Sequence, residues 1–374
     1  MNILLITNDW KPKKGGITTY LSNLSENSKN NIFVYGPKWI TGENTFKSTE
    51  NFLWNPNKVF SDVQKIINEN KFDIILHGSS NPNFLFVNKL NTLDIPDSPK
   101  NVKIPQFMIC HGAEFNVLNY FPIVRTILKK NLNNLNKVFT VSDFSRKKLE
   151  DITETQIHNI GAGIDIPNFE KEYEVNEKIT IGVVSRLVSR KKINWLIDVT
   201  HEIREAGIPI ELKIFGFGKQ ENYLKKLSNV SAADISFLKD EGEDDLSNFY
   251  KSIDIFAMPS QSKYFGIEFE GLGLVYLEAA SYGVPVIVGA SGGAIETIIP
   301  GKTGFVAGDK KILKESILYF INNPEKIEEF GLEGRKFVSD FYNWEKLIDK
   351  IESNIWIIFS YYYRQIHLKF QNYQ

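Results

Sequence analysis

Short apolar runs, separated by polar or glycine-bearing turns, recur along this chain. Asn2 to Thr7 reads as a buried strand, followed by a polar loop and Gly15-Gly16. From there the apolar residues Ile17, Tyr20, Leu21 and Leu24 fall on one helix face. Strand, glycine turn and helix make a βα unit. Further short runs at Ile32–Tyr35, Asp73–Leu76, Gln106–Cys110 and Val138–Val141 predict more strands, with helical stretches between several of them. Such alternation predicts a parallel sheet covered on both faces.

The chain turns polar around Pro167 to Asn176, with Glu170, Lys171, Glu172 and Glu174, and this stretch reads as a linker. A second alternating set follows: strands Ile179–Ser185, Glu211–Phe215, Asp254–Met258 and Pro285–Val288, with helices Ile193–Ala206 and Leu274–Tyr282. The pattern predicts two doubly wound α/β domains facing across a cleft, over residues 1–170 and 171–344. A helical, aromatic-rich segment, 345–374, is expected to pack back on the first domain. It carries Trp356, Phe359, Tyr361, Tyr362 and Tyr363, and packing explains them better than a cofactor or membrane role.

A length of 374 residues fits about two domains. Lys+Arg 44 against Asp+Glu 45 gives no global charge to argue for nucleic acid or membrane. The single cysteine, Cys110, excludes an intramolecular disulfide and suits a reducing compartment. MNILLIT lacks the basic flank of a signal peptide, and no apolar run approaches the ~20 residues that span a bilayer. The expectation is a cytoplasmic enzyme, with peripheral membrane contact left open. Between His111 and Glu150, seven cations stand against three acids. That excess could touch an anionic membrane, although a solvated helix face accounts for it more simply.

The chemistry concentrates in Tyr264 to Ala280, YFGIEFEGLGLVYLEAA. Glu270 and Glu278 bracket the turn Gly271-Leu272-Gly273, and an apolar helix-forming segment follows. A helical eight-residue step would separate the two Cα atoms by ~12 Å and turn them by ~80°, so these carboxylates cannot be one acid/base pair on a single face. They could reach different regions of one elongated ligand, with helix N–H groups and glycine admitting a phosphate. Arg186, at the end of a predicted strand, and the following Arg190, Lys191 and Lys192 suit a diphosphate. Gly15 and Gly16 could free N–H groups for a phosphate or sugar, or simply permit a tight turn. Gly216-Phe217-Gly218 is a weak signal alone. His111, in His111-Gly112-x-Glu114, is placed to face a cleft, or is hydrogen-bonded within the fold. No second His or Cys stands at metal-ligand spacing, which disfavours a metal site.

The segment IDIFAMPSQSKYFGIEFEGLGLVYLEAASYGVPVIVGASGGAIETI resembles the donor-binding core of retaining glycosyltransferases of family 4, with Glu270 and Glu278 as their Glu-x7-Glu signature. The resemblance extends to GGITTY, HGAE, SRLVSRK, GKTGFV and FYNW. It implies the GT-B fold, two Rossmann-like domains facing across a cleft. The wording is most similar to bacterial phosphatidylinositol mannoside mannosyltransferases, which implies GDP-mannose as donor and a lipid acceptor at the inner membrane face. By the same resemblance Arg186 and Lys191 would bind the donor diphosphate, Glu278 the ribose and Glu270 the sugar hydroxyls. Gly271, Leu272 and Gly273 would offer backbone contacts around the β-phosphate. Gly15 and Gly16 would close on the donor, and His111 would contact the sugar. Lys192 departs from the pattern, since that position is commonly glycine; the aromatic tail past Trp344 is a second departure, without an assigned role.

The expected reaction is hexosyl transfer from a nucleoside diphosphate to a hydroxyl of a lipid or glycan, with retention. Cations and helix N–H groups would stabilise the leaving diphosphate, so no divalent metal or other cofactor is required. Glu270 then positions the sugar, although a covalent route is not excluded from sequence. One alternative is a sugar-nucleotide epimerase, which needs more acid/base groups than five histidines, with only His111 well placed, suggest. The other is a non-catalytic sugar-nucleotide-binding protein on the same fold.

Overall fold

The computed structural model describes residues 1–374 apart from 97, 99–101, 170, 174–177, 240–244, 265 and 372–374; for 113 and 361–371 it describes the backbone alone. The chain divides into two units, one formed by Met1–Gly163 with Trp344–Gln374, the other by Ile164–Asn343.

The first unit holds β1 (Asn2–Ile6), β2 (Asn31–Gly36), β3 (Thr45–Lys47), β4 (Ile74–His77), β5 (Gln106–Cys110), β6 (Lys137–Thr140) and β7 (Ile157–Asn159). They pair in parallel in the order β3-β2-β1-β4-β5-β6-β7. The central strands are buried along their length, as a sheet covered on both faces requires. Leu4, Ile6, Val59, Val63, Ile75, Phe86 and Leu90 fill the core on one face. Strand order reverses beside β1, and the loops after β1, β4 and β5 leave from the carboxyl edge, where ligands of such sheets bind.

The C-terminal helix Trp344–Gln371 belongs to this unit. Trp344, Leu347, Ile348, Ile351 and Ile355 are buried at helical spacing. Trp344 lies so close over Gly163 that an added Cβ would stand 2.3 Å from its ring. Its ring also meets Tyr20 edge-on at 6.2 Å. The side chains of Tyr361, Tyr362 and Tyr363 lie outside the described residues.

The second unit holds β8 (Ile179–Val184), β9 (Ile210–Phe215), β10 (Asp234–Leu238), β11 (Ile255–Met258), β12 (Val286–Gly289) and β13 (Gly304–Ala307), parallel in the order β10-β9-β8-β11-β12-β13. The order reverses beside β8, so the loops after β8 and β11 share the carboxyl edge.

The unit boundary falls at Gly163, earlier than the polar stretch read as a linker. Glu170 and Glu174 lie outside the described residues. The described part of that stretch, 167–169 and 171–173, is tied to the second unit. Arg335 donates to the carbonyls of Pro167 (2.7 Å) and Phe169, Lys171 Nζ to the Ile253 carbonyl (2.7 Å), and Tyr173 Oη to the Gly283 carbonyl (2.8 Å). Its polar groups serve carbonyls at the turns they cross, so a solvated composition misreads as a free connector.

Candidate functional site

In the second unit the loop after β8 carries the cations. Arg186 is exposed, and its side chain makes no hydrogen bond or ion pair among the described residues. Behind it, Gly216 (φ +136°) and Gly218 lie against the backbone of Ser185 and Leu187; a Cβ on Gly216 would sit 2.0 Å from the Ser185 carbonyl oxygen. The Gly216-Phe217-Gly218 turn thus buttresses the Arg186 loop. Leu187 N–H donates to the Phe217 carbonyl at 2.9 Å, locking the two together.

Lys191 and Arg190 both reach Glu270 Oε2, each at 2.6 Å, with all three side chains at most 15% exposed. Burial would push the Glu270 carboxyl up, but the two cations overcome it and hold it at about 2. Burial draws the Lys191 ammonium below its ordinary range, and Glu270 partly restores it. The pair is therefore a cation cluster already neutralised by one carboxylate. Lys192 follows with φ +55° and ψ +34°, the left-handed region, and opens the helix Ile193–Glu205. That conformation explains why glycine suits this position. Lys192 holds it with its ammonium 4.9 Å over the Trp195 ring.

Glu270 precedes the helix Leu274–Ser281, so the eight-residue step to Glu278 is not helical throughout. Ser291 Oγ accepts the Glu270 N–H at 3.1 Å, and Gly293 N–H donates to the Glu270 carbonyl at 2.8 Å. These bonds fix the carboxylate from behind. The chain then turns through Gly271 and Leu272 to Gly273, which is left-handed at φ +91°. Among the described residues, the backbone N–H groups of Gly271, Leu272, Gly273, Leu274 and Val275 donate no hydrogen bond. Five consecutive free donors entering a helix form an anion-accepting turn. Glu278 points from the second turn of this helix and accepts from Tyr250 Oη at 2.7 Å. Burial raises its carboxyl, and the tyrosine hydroxyl partly offsets this. Oε1 has no hydrogen-bond partner among the described residues.

In the first unit Gly15 and Gly16 open the helix Gly16–Asn27 after β1. A Cβ at either would meet nothing within 4 Å, and Gly15 is extended at φ 162°. The tight-turn explanation therefore fails for Gly15. Bare, approachable backbone is what glycine supplies at both positions.

His111 follows β5. Its Nε2 lies 2.9 Å from the Gly78 carbonyl, which can only accept, so Nε2 carries the proton and Nδ1 the lone pair. Tyr20 meets the ring edge-on at 5.1 Å. Burial lowers its pKa to about 4, against the opposing pull of the Gly78 carbonyl and Asp9, so the ring is neutral at neutral pH. The reading in which this histidine is hydrogen-bonded within the fold is met through Nε2, and Nδ1 takes part in no hydrogen bond among the described residues. Glu114 accepts the His111 N–H at 2.5 Å, and burial raises its carboxyl to about 7.

Sequence reasoning missed the Arg190–Glu270 pairing, Tyr250 behind Glu278, and Ser291 behind Glu270. Arg190 stood beside Lys191 and Ser291 opens SGGA, so a signal existed for both; nothing in the sequence marks Tyr250. Of the cations between His111 and Glu150, Arg146 is paired with Asp143 and Glu150, and Lys129 with Glu154. Among the described residues no three His, Cys, Asp or Glu side chains are grouped to hold a metal ion, and no helix is long and apolar enough to cross a membrane.

Residues 165–337 match the family described as Glycosyl transferases group 1. A GDP-mannose-dependent alpha-(1-6)-phosphatidylinositol monomannoside mannosyltransferase of Mycolicibacterium smegmatis is 27% identical over 371 residues, covering 91% of this chain and 95% of that enzyme. The monoacylated-substrate mannosyltransferase of Corynebacterium glutamicum is also 27% identical, over 93% of this chain and 96% of its own length. Among solved structures, sucrose-phosphate synthase from Thermosynechococcus elongatus superposes with a TM-score of 0.76 at 18% identity, covering 96% of this chain and 99% of that one. Anabaena HepE, solved with UDP and glucose, gives 0.73 at 17% identity, covering 95% and 99%. These likenesses establish the GT-B fold. Residues 165–337, within the second unit, thus resemble the group 1 glycosyltransferases, and with mannosyltransferases similar over nearly its whole length the chain is a hexosyltransferase.

Proposed function

We propose that this enzyme transfers mannose from GDP-mannose, with retention, to a hydroxyl of a lipid-linked acceptor of the phosphatidylinositol mannoside type. The observation that carries the nucleotide-sugar reading is the run of five N–H groups, Gly271 to Val275, without a partner among the described residues, next to the Lys191–Arg190–Glu270 cluster. The mannose and lipid preferences rest on the relatives over nearly the whole chain.

Arg186, the uncommitted cation, meets the diphosphate first. Lys191 then moves from Glu270 to the phosphate, and the carboxylate it leaves takes a sugar hydroxyl. Gly271, Leu272 and Gly273 donate N–H bonds to the β-phosphate, which gathers negative charge as the anomeric bond breaks. With that charge met by cations and fixed dipoles, a divalent metal is not needed. Glu278 accepts from the ribose hydroxyls through Oε1. In the first unit, which we assign to the acceptor, neutral His111 offers Nδ1 to a sugar hydroxyl, and Gly15 and Gly16 present bare backbone suited to a sugar. A leaving phosphate that takes the acceptor's proton completes a front-face transfer, with Glu270 as a positioning group.

A lipid acceptor also implies peripheral contact with an anionic membrane at the cytoplasmic face. The test is to incubate the protein with radiolabelled GDP-mannose, UDP-glucose or UDP-GlcNAc and membrane lipids, then follow label into the organic phase. Transfer from GDP-mannose is expected; transfer only from a uridine donor would overturn the mannose assignment. Lys191→Ala and Glu278→Gln should weaken donor binding by about tenfold each, the loss of one charge-assisted hydrogen bond. His111→Ala should lower turnover more than donor affinity. Calorimetry with unchanged donor affinity in both donor-site variants would reject the site.

A further inference from the structure

The C-terminal helix changes character halfway along. Up to Ile355 its apolar positions are buried against the first unit. At the next two positions, Trp356 and Ile357, exposure jumps to 57% and 63%. The helix nevertheless continues to Gln371, about 24 Å beyond Ile355 at 1.5 Å per residue. Its direction is fixed by polar contacts. Glu352 accepts from Asn30, just ahead of β2, and Asn354 accepts from Lys137, the first residue of β6. The helix therefore starts near Tyr20, whose ring meets His111, and leaves the unit at the amino ends of the strands.

The sequence of this extension is unusual for a solvated helix. Ile355 to Phe370 reads IWIIFSYYYRQIHLKF, with one tryptophan, three tyrosines and two phenylalanines. No acidic residue follows Glu352, while Arg364 and Lys369 add positive charge. Trp and Tyr favour the polar–apolar boundary of a bilayer, and Arg and Lys favour anionic headgroups. The same charge would repel a second copy of this segment. Among the described residues no helix is long and apolar enough to cross a membrane.

We propose that the extension after Ile355 is an interfacial docking helix for an anionic lipid surface. It acts as a tether, holding the enzyme at the bilayer from the end of the first unit remote from His111. This inference rests on the lipid-acceptor reading for its biological sense, but its physical test does not.

The experiment is vesicle flotation of the full chain and of the Trp356→Glu/Ile357→Glu double variant. Vesicles are phosphatidylcholine with or without phosphatidylglycerol. The parent should float with the anionic vesicles only. The variant should lose about tenfold or more in binding, because two apolar side chains leave the interface and two repelled charges enter. Both substituted side chains are exposed, so folding and donor affinity by calorimetry should be unchanged. A parent that does not float, or a variant that floats equally well, overturns the proposal. So does a dimer by light scattering that the variant abolishes without any vesicle binding, since the occupant would then be a second copy. Absence of donor binding by the parent would sink the functional reading and leave the flotation result standing.

Discussion

At the residue scale, Glu114 joins the site to pH. Its carboxylate accepts the backbone N–H of His111, and burial raises its pKa to about 7. The ionised form makes that bond strongest, so turnover should rise as pH passes through about 7. Stability should move the other way. An acid whose folded pKa is raised from 4.5 to about 7 contributes most below pH 4.5 and loses that contribution as pH climbs through 7, by up to about 3 kcal/mol. Glu114→Gln should flatten both dependences near neutrality, measured by a rate profile and by urea unfolding across pH; a rate inflection that survives in the variant would assign it to another group. Lys192 gives a second prediction. Its left-handed backbone costs about 1 kcal/mol, offset by the cation over Trp195, worth about 0.5–1 kcal/mol. Lys192→Gly should therefore leave stability within about 1 kcal/mol, whereas Lys192→Val, strained and without the cation, should lose about 2 kcal/mol.

At the element scale, the anion-accepting turn depends on Gly273. A Cβ there would stand 2.5 Å from the Tyr276 ring in a backbone already at φ +91°. Tyr276 is fully buried, with its hydroxyl donating to the Met258 carbonyl and near Ser260, so it cannot give way. Gly273→Ala must instead move the turn and scatter the free N–H groups. Donor affinity should fall about tenfold or more, the worth of one or two hydrogen bonds to a charged group, with unfolding free energy within about 2 kcal/mol of the parent's. Unchanged donor affinity by calorimetry would remove the turn from the site. This element was legible in sequence because carboxylate, glycine turn and apolar helix stand in unbroken order. The central strands were legible for a similar reason, since burial on both faces makes continuous apolar runs such as Ile255–Met258. The edge strands β3, β7 and β10 were not: β3 and β7 are three residues long and β10 is only partly buried, so none leaves a strong pattern. The pairing of Glu270 with Arg190 and Lys191 was not legible, because it joins positions 79 and 80 apart and spacing carries no record of that distance.

At the scale of the whole molecule, the two units make different demands on the chain. The second is continuous, Ile164–Asn343, and Ile164 N–H donates to the Tyr342 carbonyl at 2.6 Å, so its ends meet. The first is built from two separated pieces. Without 344–374 it would uncover the Gly163 surface under Trp344 and the surface that buries Leu347, Ile348, Ile351 and Ile355. Five such side chains are together worth about 10 kcal/mol, as much as the ~5–15 kcal/mol that holds a typical domain folded. The segment 164–343 alone should therefore unfold cooperatively and bind GDP within about tenfold of the full chain, since Arg186, Lys191, Gly271 to Val275 and Glu278 all lie inside it. The segment 1–163 alone should lack a cooperative transition by circular dichroism and regain one when joined to 344–374 by a short flexible linker. A cooperative 1–163 would mean that the C-terminal helix decorates the first unit instead of completing it. A disordered 164–343 would mean that the polar strap at Pro167–Tyr173 and the Arg335 bonds that pin it cannot close the second unit without the rest of the chain.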